Sequence, residues 1–236
     1  MRSPLATLSA VRPTIVLFDI DGTLVSCGGA GRAAMMAALR DLAGRDDALD
    51  FPFAGGTDRA IARRALEGVG RVADDAAIDD FLARYVERLP ETLAASRTYR
   101  VLEGVVALLD ALEGREGLAL GLGTGNLEAG ARHKLRRGGL SERFGFGGFG
   151  CDHEERPRLI AAGLRRGAAR LGVSVAACRC VVIGDTDRDV EAALENGAEC
   201  VGVGTGPTDA ASLRAAGATV AFDDLTDPAA LAYLLS

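Results

Sequence analysis

Apolar residues fall into two rhythms along this chain. In three places they run unbroken and then stop at a polar cluster: residues 15–18 ahead of Asp19 and Asp21, residues 118–122 ahead of Thr124 and Asn126, and residues 180–183 ahead of Asp185, Asp187 and Asp189. Runs with no polar alternation predict strands buried on both faces, as in a parallel sheet. Residues 200–203 and 219–222 predict two more such strands, and a weaker, glycine-rich one is expected within 144–149. Between the strands the spacing becomes helical, over 104–112, 127–137, from Arg156-Pro157 to about 171, over 190–196 and 209–216, and in a last C-terminal segment. Gly197 fits the position just past a helix end.

Residues 28 to about 100 read differently. Residues 27–31 (Cys-Gly-Gly-Ala-Gly) predict a mobile linker, and 32–42 then carry Met35, Met36, Leu39 and Leu42 on one helical side. After a second break at 51–56, Thr57 or Asp58 can cap a helix over 59–67, with Ile61 and Leu66 inward. A further helix over 75–89 is expected to stop near Pro90. No strand is expected in this block. Strands alternating with helices imply an α/β fold with a doubly wound, parallel, Rossmann-like sheet. The predicted division is a core of residues 1–27 and 101–236 with an all-helical insertion at 28–100.

Composition narrows the function classes. The net charge of −6 offers no basic face for a phosphate backbone, which argues against nucleic acid. No apolar run approaches the ~20 residues that span a bilayer, and residues 1–13 have no apolar core of a signal peptide. Five cysteines, an odd number without a Cys-x-x-Cys pair, suit reduced thiols in a cytoplasm. Cys178 and Cys180 have no histidine nearby in sequence and read as small core residues rather than zinc ligands. Lys134 is the only lysine and follows His133, so there is no Walker A loop, and a Schiff-base mechanism would have to use that one residue.

In open α/β sheets ligands bind beyond the carboxyl ends of the strands. The ends of the three main strands therefore converge, and Gly22 turns the chain so that Asp21 can swing toward Asp19. Bare carboxylates would repel: at ~4 Å and an effective dielectric near 20, each pair costs about 4 kcal/mol. A divalent cation would neutralise them, and an all-oxygen set without His or Cys suits Mg²⁺. An arginine fork and amides at a helix start would complete a site for a phosphate monoester. An aspartate can attack phosphorus while a second carboxylate handles the proton.

Asp19-Ile-Asp21-Gly22-Thr23-Leu24, Thr124-Gly125-Asn126, Arg156-Pro157 and Gly184-Asp185-Thr186-Asp187-Arg188-Asp189 resemble the four ordered motifs of the haloacid dehalogenase-like hydrolase superfamily. The resemblance spans nearly the whole chain, and the first and last motifs are the most specific. It is similar in flavour to phosphoglycolate-phosphatase-like and β-phosphoglucomutase-like members. The resemblance implies that Asp19 is nucleophile and metal ligand, and that Asp21 is general acid/base, lending its backbone carbonyl to Mg²⁺. Asp185 would be a metal ligand, and Asp189 a ligand or an acceptor beside one. Thr124, Gly125 and Asn126 would bind the phosphoryl group. The third motif usually has lysine; Arg156 stands there, with Arg158 as the alternative. The insertion would be a helical cap, with Thr57, Asp58 and Arg59 reaching the substrate.

The expected reaction is hydrolysis of a small phosphorylated metabolite, phosphoglycolate-like or a sugar phosphate. A phosphomutase remains the alternative, because the shared core does not separate them. Asp21, together with a cap free of lysine, disfavours dehalogenation and phosphonate cleavage. Gly121-Leu-Gly123-Thr-Gly125 lacks the third glycine of a dinucleotide loop. A non-catalytic module of the same fold is expected to have lost one of these aspartates, and none is lost.

Overall fold

The computed structural model describes residues 12–236. The N-terminal stretch read for a signal peptide lies outside these, apart from its last two residues. The elements run β1 (Thr14–Phe18), β2 (Val25–Ser26), α1 (Ala30–Ala43), α2 (Asp58–Gly68), α3 (Asp75–Ala95), β3 (Arg100–Val101), α4 (Val105–Leu112), β4 (Leu118–Gly123), α5 (Glu128–Arg137), β5 (Gly147–Gly148), α6 (Arg156–Leu171), β6 (Arg179–Gly184), α7 (Asp187–Glu195), β7 (Glu199–Val203), α8 (Ala210–Ala215), β8 (Val220–Phe222) and α9 (Pro228–Leu234).

Six strands form one parallel sheet in the order β5-β4-β1-β6-β7-β8. The chain steps outward from β1 on one side and then returns to β6 on the other. That reversal opens a crevice beyond the carboxyl end of β1. The unbroken apolar run of β1 now has its reason. Val16 and Phe18 face a cluster shared with the helical insertion, while Ile15 and Leu17 face the cluster beneath α6 and α7, and all four are fully buried.

The insertion holds only α1, α2, α3 and a short 3-10 turn, and it leaves and re-enters through the antiparallel pair β2–β3. Those two-residue strands at its hinge were not expected from the sequence. The region read as a linker is shorter than expected, because Ala30 and Gly31 already belong to α1. Helix α3 does not stop at Pro90 but continues to Ala95. Leu89 and Leu93, on either side of the proline, stay buried on one apolar face, and that packing outweighs the missing N–H. Helix α2 is capped by Thr57, whose hydroxyl accepts from the Ala60 amide at 3.2 Å.

Candidate active site

The chain turns at once after β1. Gly22 adopts φ +87°, and a Cβ there would lie 2.3 Å from Asp185 Oδ2. Only glycine lets the turn pass so close to the end of β6. The result places Asp19 and Asp185 together, and the oxygens of Asp19, Asp185 and Asp189 lie within 4.8 Å of one another, all buried.

Among the described residues Arg156, at the start of α6, is the one cation paired with them. Its Nη2 lies 3.0 Å from Asp19 Oδ1 and donates to Asp189 Oδ1 at 2.6 Å, while Nε donates to the same Asp189 oxygen at 3.0 Å. Arg158 instead pairs with Glu155 at the surface. Asp189 Oδ2 accepts from the Thr186 amide at 3.1 Å and from its hydroxyl at 2.6 Å. Both oxygens of Asp189 are therefore engaged, and its position is that of a brace for Arg156. Among the described residues Asp185 has a single partner, the Thr23 hydroxyl at 3.0 Å. Burial raises the Asp185 carboxyl above its ordinary range, and the charges of Asp19 and Asp189 push it further. Burial likewise raises Asp19, against the pull of Arg156. Three carboxylates against one guanidinium leave an excess of negative charge, with the free oxygens on Asp19 and Asp185. A hard divalent cation fits this all-oxygen set.

Asp21 faces the same cavity from the other side. Burial works to raise its carboxyl, but the charge of Lys134 and hydrogen bonds from Lys134 and Asn126 prevail and hold it below the usual value. Lys134 Nζ donates to Asp21 Oδ2 and to Asn126 Oδ1, both at 2.5 Å. Asn126 Nδ2 donates onward to Asp21 Oδ2 at 2.9 Å and to Thr124 Oγ1 at 2.7 Å. The Asn126 side chain thus clips Thr124 to Asp21, leaving the Thr124 hydroxyl proton to turn into the cavity.

The insertion closes over this site. The Asp58 amide donates to Gly125 O at 2.8 Å, and Asp58 Oδ2 accepts from the Leu127 amide at 2.8 Å. The start of α5 is therefore taken by Asp58 rather than left open to an anion. Thr57 Oγ1 donates to Glu154 O at 2.9 Å, and Arg156 Nη1 donates to Gly55 O at 3.3 Å. Arg59 is not brought to the cavity. It pairs with Asp75 at 2.9 Å and Asp79 at 2.5 Å on the insertion itself.

Sequence reasoning missed Lys134 and Thr23. Lys134 is 4% exposed and sits on the apolar stripe of α5 with Gly130, Ala131 and Leu135. A lone lysine at a stripe position was the signal that could have found it. Asp19, Asp21, Thr124, Gly125, Asn126, Asp58 and Arg156 line one cavity of about 300 Å³.

A family model described as haloacid dehalogenase-like hydrolase matches residues 13–197. The chain is 29% identical over 230 residues to a protein named "Probable phosphatase IndB" from Dickeya dadantii, covering 94% of each. It is 32% identical over 192 residues to a phosphoglycolate phosphatase of Xanthomonas campestris, covering 78% of this chain and 80% of that one. Among solved structures, that of CbbY from Rhodobacter sphaeroides in complex with phosphate superposes with a TM-score of 0.73 at 22% identity, covering 92% of this chain and 98% of that one.

Proposed function

The chain belongs to the haloacid dehalogenase-like hydrolase family and is a phosphoric monoester hydrolase, and from that premise we propose that it is a Mg²⁺-dependent phosphatase acting on a small metabolite through an aspartyl-phosphate on Asp19. The observation that carries the reading is the buried cluster of Asp19, Asp185 and Asp189 paired with Arg156, with Asp19, Arg156 and Asp21 lining one cavity.

Asp19 and Asp185, with the backbone carbonyl of Asp21, would hold the cation, which supplies positive charge against the carboxylates and the incoming phosphoryl oxygens. Arg156, fixed by Asp189, and the Thr124 hydroxyl orient the phosphoryl group toward Asp19. An Asp19 oxygen attacks phosphorus, the phosphorus–oxygen bond to the alcohol breaks, and Asp21 gives its proton to the departing oxygen. Water then attacks phosphorus, the bond to Asp19 breaks, and the proton of water goes to Asp21. Lys134 keeps Asp21 ionised for that second half, while a phosphate dianion beside it favours protonation in the first.

Residues 28–100 serve as the cap, with Thr57 and Asp58 holding its loop on the core. The small cavity suits a small phosphate monoester. Release of phosphate from p-nitrophenyl phosphate with Mg²⁺, lost in Asp19→Asn, tests the reading. A protein inert toward it, or one unaffected by Asp19→Asn, would sink it. A mutase would instead require a bisphosphate activator and leave the phosphate on the sugar.

A further inference from the structure

The cavity extends past Asp21 into the insertion, where it meets Lys134, Tyr85 and Asp58. A lysine ammonium has three N–H groups. Two on Lys134 go to Asp21 and Asn126, and the third has no partner among the described residues. Tyr85 is 1% exposed, and its hydroxyl likewise has none. Gly31 keeps this corner open: a Cβ there would lie 3.5 Å from Lys134 Nζ and 4.0 Å from Tyr85 Oη. Asp58 is 5% exposed, and its Oδ2 accepts from the Leu127 amide, while Oδ1 has no partner among the described residues. These oxygens are not sealed in, since among the described residues the sealed side-chain oxygen without a partner is Ser141 Oγ; they open onto the cavity, where a ligand can bind them.

The charges say which ligand. Two carboxylates, Asp21 and Asp58, face this corner against one ammonium. Two more cations line the cavity: Arg156, which is paired with Asp19 and Asp189 at the phosphoryl end, and Arg32. Arg32 Nη1 and Nη2 already donate to the carbonyls of Leu49 at 2.6 Å and Phe51 at 2.7 Å, and the guanidinium lies 3.9 Å over the Phe53 ring. Two of its five N–H groups thus go to the insertion's own loop, which holds the fork toward that loop rather than toward Asp21 and Lys134. A carboxylate pressed into the corner would be repelled by Asp58. A hydroxyl can donate to Asp58 Oδ1 and accept from Lys134 or Tyr85 in the same place.

We propose that this corner is the leaving-group subsite and that it takes a hydroxylated alcohol, so that the substrate is a small polyol or sugar phosphate rather than a carboxylate-bearing ester such as phosphoglycolate. The proposal rests on the phosphatase reading above. It separates this chain from the substrate in the name of the Xanthomonas relative.

The test measures kcat/KM of the full-length protein with Mg²⁺ on p-nitrophenyl phosphate, phosphoglycolate, glycerol phosphate and ribose phosphate. The better of the two hydroxylated esters should exceed phosphoglycolate by at least about tenfold. Asp58→Asn keeps an oxygen for the Leu127 amide but loses the charge. It should move the hydroxylated-to-phosphoglycolate ratio about tenfold or more toward phosphoglycolate. Tyr85→Phe, which removes one hydroxyl, should move the ratio the same way by a few-fold. A role confined to holding the insertion in place would lower all esters in proportion and leave the ratio fixed, and that result overturns the proposal. So does a wild-type preference for phosphoglycolate while p-nitrophenyl phosphate is still cleaved. No turnover of any ester sinks the phosphatase reading itself.

Discussion

Two ionic clusters, each built on one buried arginine, sit at opposite ends of the same sheet. At the amino ends of β6 and β7, Arg179 donates to Glu199 at 2.7–3.1 Å and to the carbonyls of Tyr233, Leu234 and Ser236, and the Tyr233 hydroxyl donates to Glu199 at 2.7 Å. One cation meets one anion, and the donors find oxygens of the C-terminal helix. This cluster ties α9 to the sheet and is complete. At the carboxyl ends, Arg156 meets Asp19 and Asp189, and among the described residues Asp185 has only the Thr23 hydroxyl. The difference is arithmetic, three carboxylates against one guanidinium. A cluster that closes on itself holds a fold together, whereas one left with surplus charge is waiting for a ligand.

Substitutions at the two ends should separate accordingly. Asp19→Asn removes the attacking oxygen and should lower kcat by at least about a thousandfold in a steady-state assay while the melting curve shows a folded protein. Loss of fold instead would put Asp19 in the same class as Arg179. Next in size is a pH effect. Burial pushes the Asp58 carboxyl up from 3.8 to about 6, against the pull of Lys134 and the Leu127 amide. A raised acid stabilises the folded state below its unfolded pKa, and that contribution is lost as pH rises through the folded one. On the order of 3 kcal/mol should disappear between about pH 4 and pH 6, and Asp58→Asn should abolish that part of the profile in chemical denaturation.

The surplus charge at the carboxyl end predicts a response to metal. Mg²⁺ at about a hundred times its Kd should stabilise the protein by roughly 2.7 kcal/mol, read as a shift in Tm. Asp185→Asn should melt higher than the metal-free parent, because a repelling charge is gone, and should show no shift on adding Mg²⁺. The smallest effect belongs to the closed cluster. Arg179→Met strands a partly buried Glu199 and should cost about 2 kcal/mol of stability, with kcat/KM unchanged. A fall in kcat/KM with intact folding would erase the contrast between the two ends.

Much of this was legible in the sequence, for a physical reason. Strands buried on both faces must be apolar throughout, so β1, β4 and β6 announced themselves, and their polar ends marked Asp19, Thr124 and Asp185. Arg156 was readable by its place before Pro157. What sequence could not rank were tertiary choices. Arg59 sits in the loop-and-helix start expected to reach substrate, but Asp75 and Asp79 of the next helix claim it. Pro90 reads as a stop, yet the buried face of α3 carries through it. Lys134 looked like one more cation in an arginine-rich helix, and only the packing of α5 against α3 and the site shows that it points inward. The hinge pair β2–β3 is too short to leave a pattern.

The central claim is that Asp19 becomes phosphorylated, and trapping tests it most directly. Protein turning over p-nitrophenyl phosphate with Mg²⁺ is quenched in acid and reduced with borohydride, which converts an aspartyl-phosphate to homoserine. Peptide mass analysis should find the change at Asp19 and nowhere else, and not in protein incubated without substrate. Turnover that leaves Asp19 unmodified, or modification at Asp185 instead, would contradict the account.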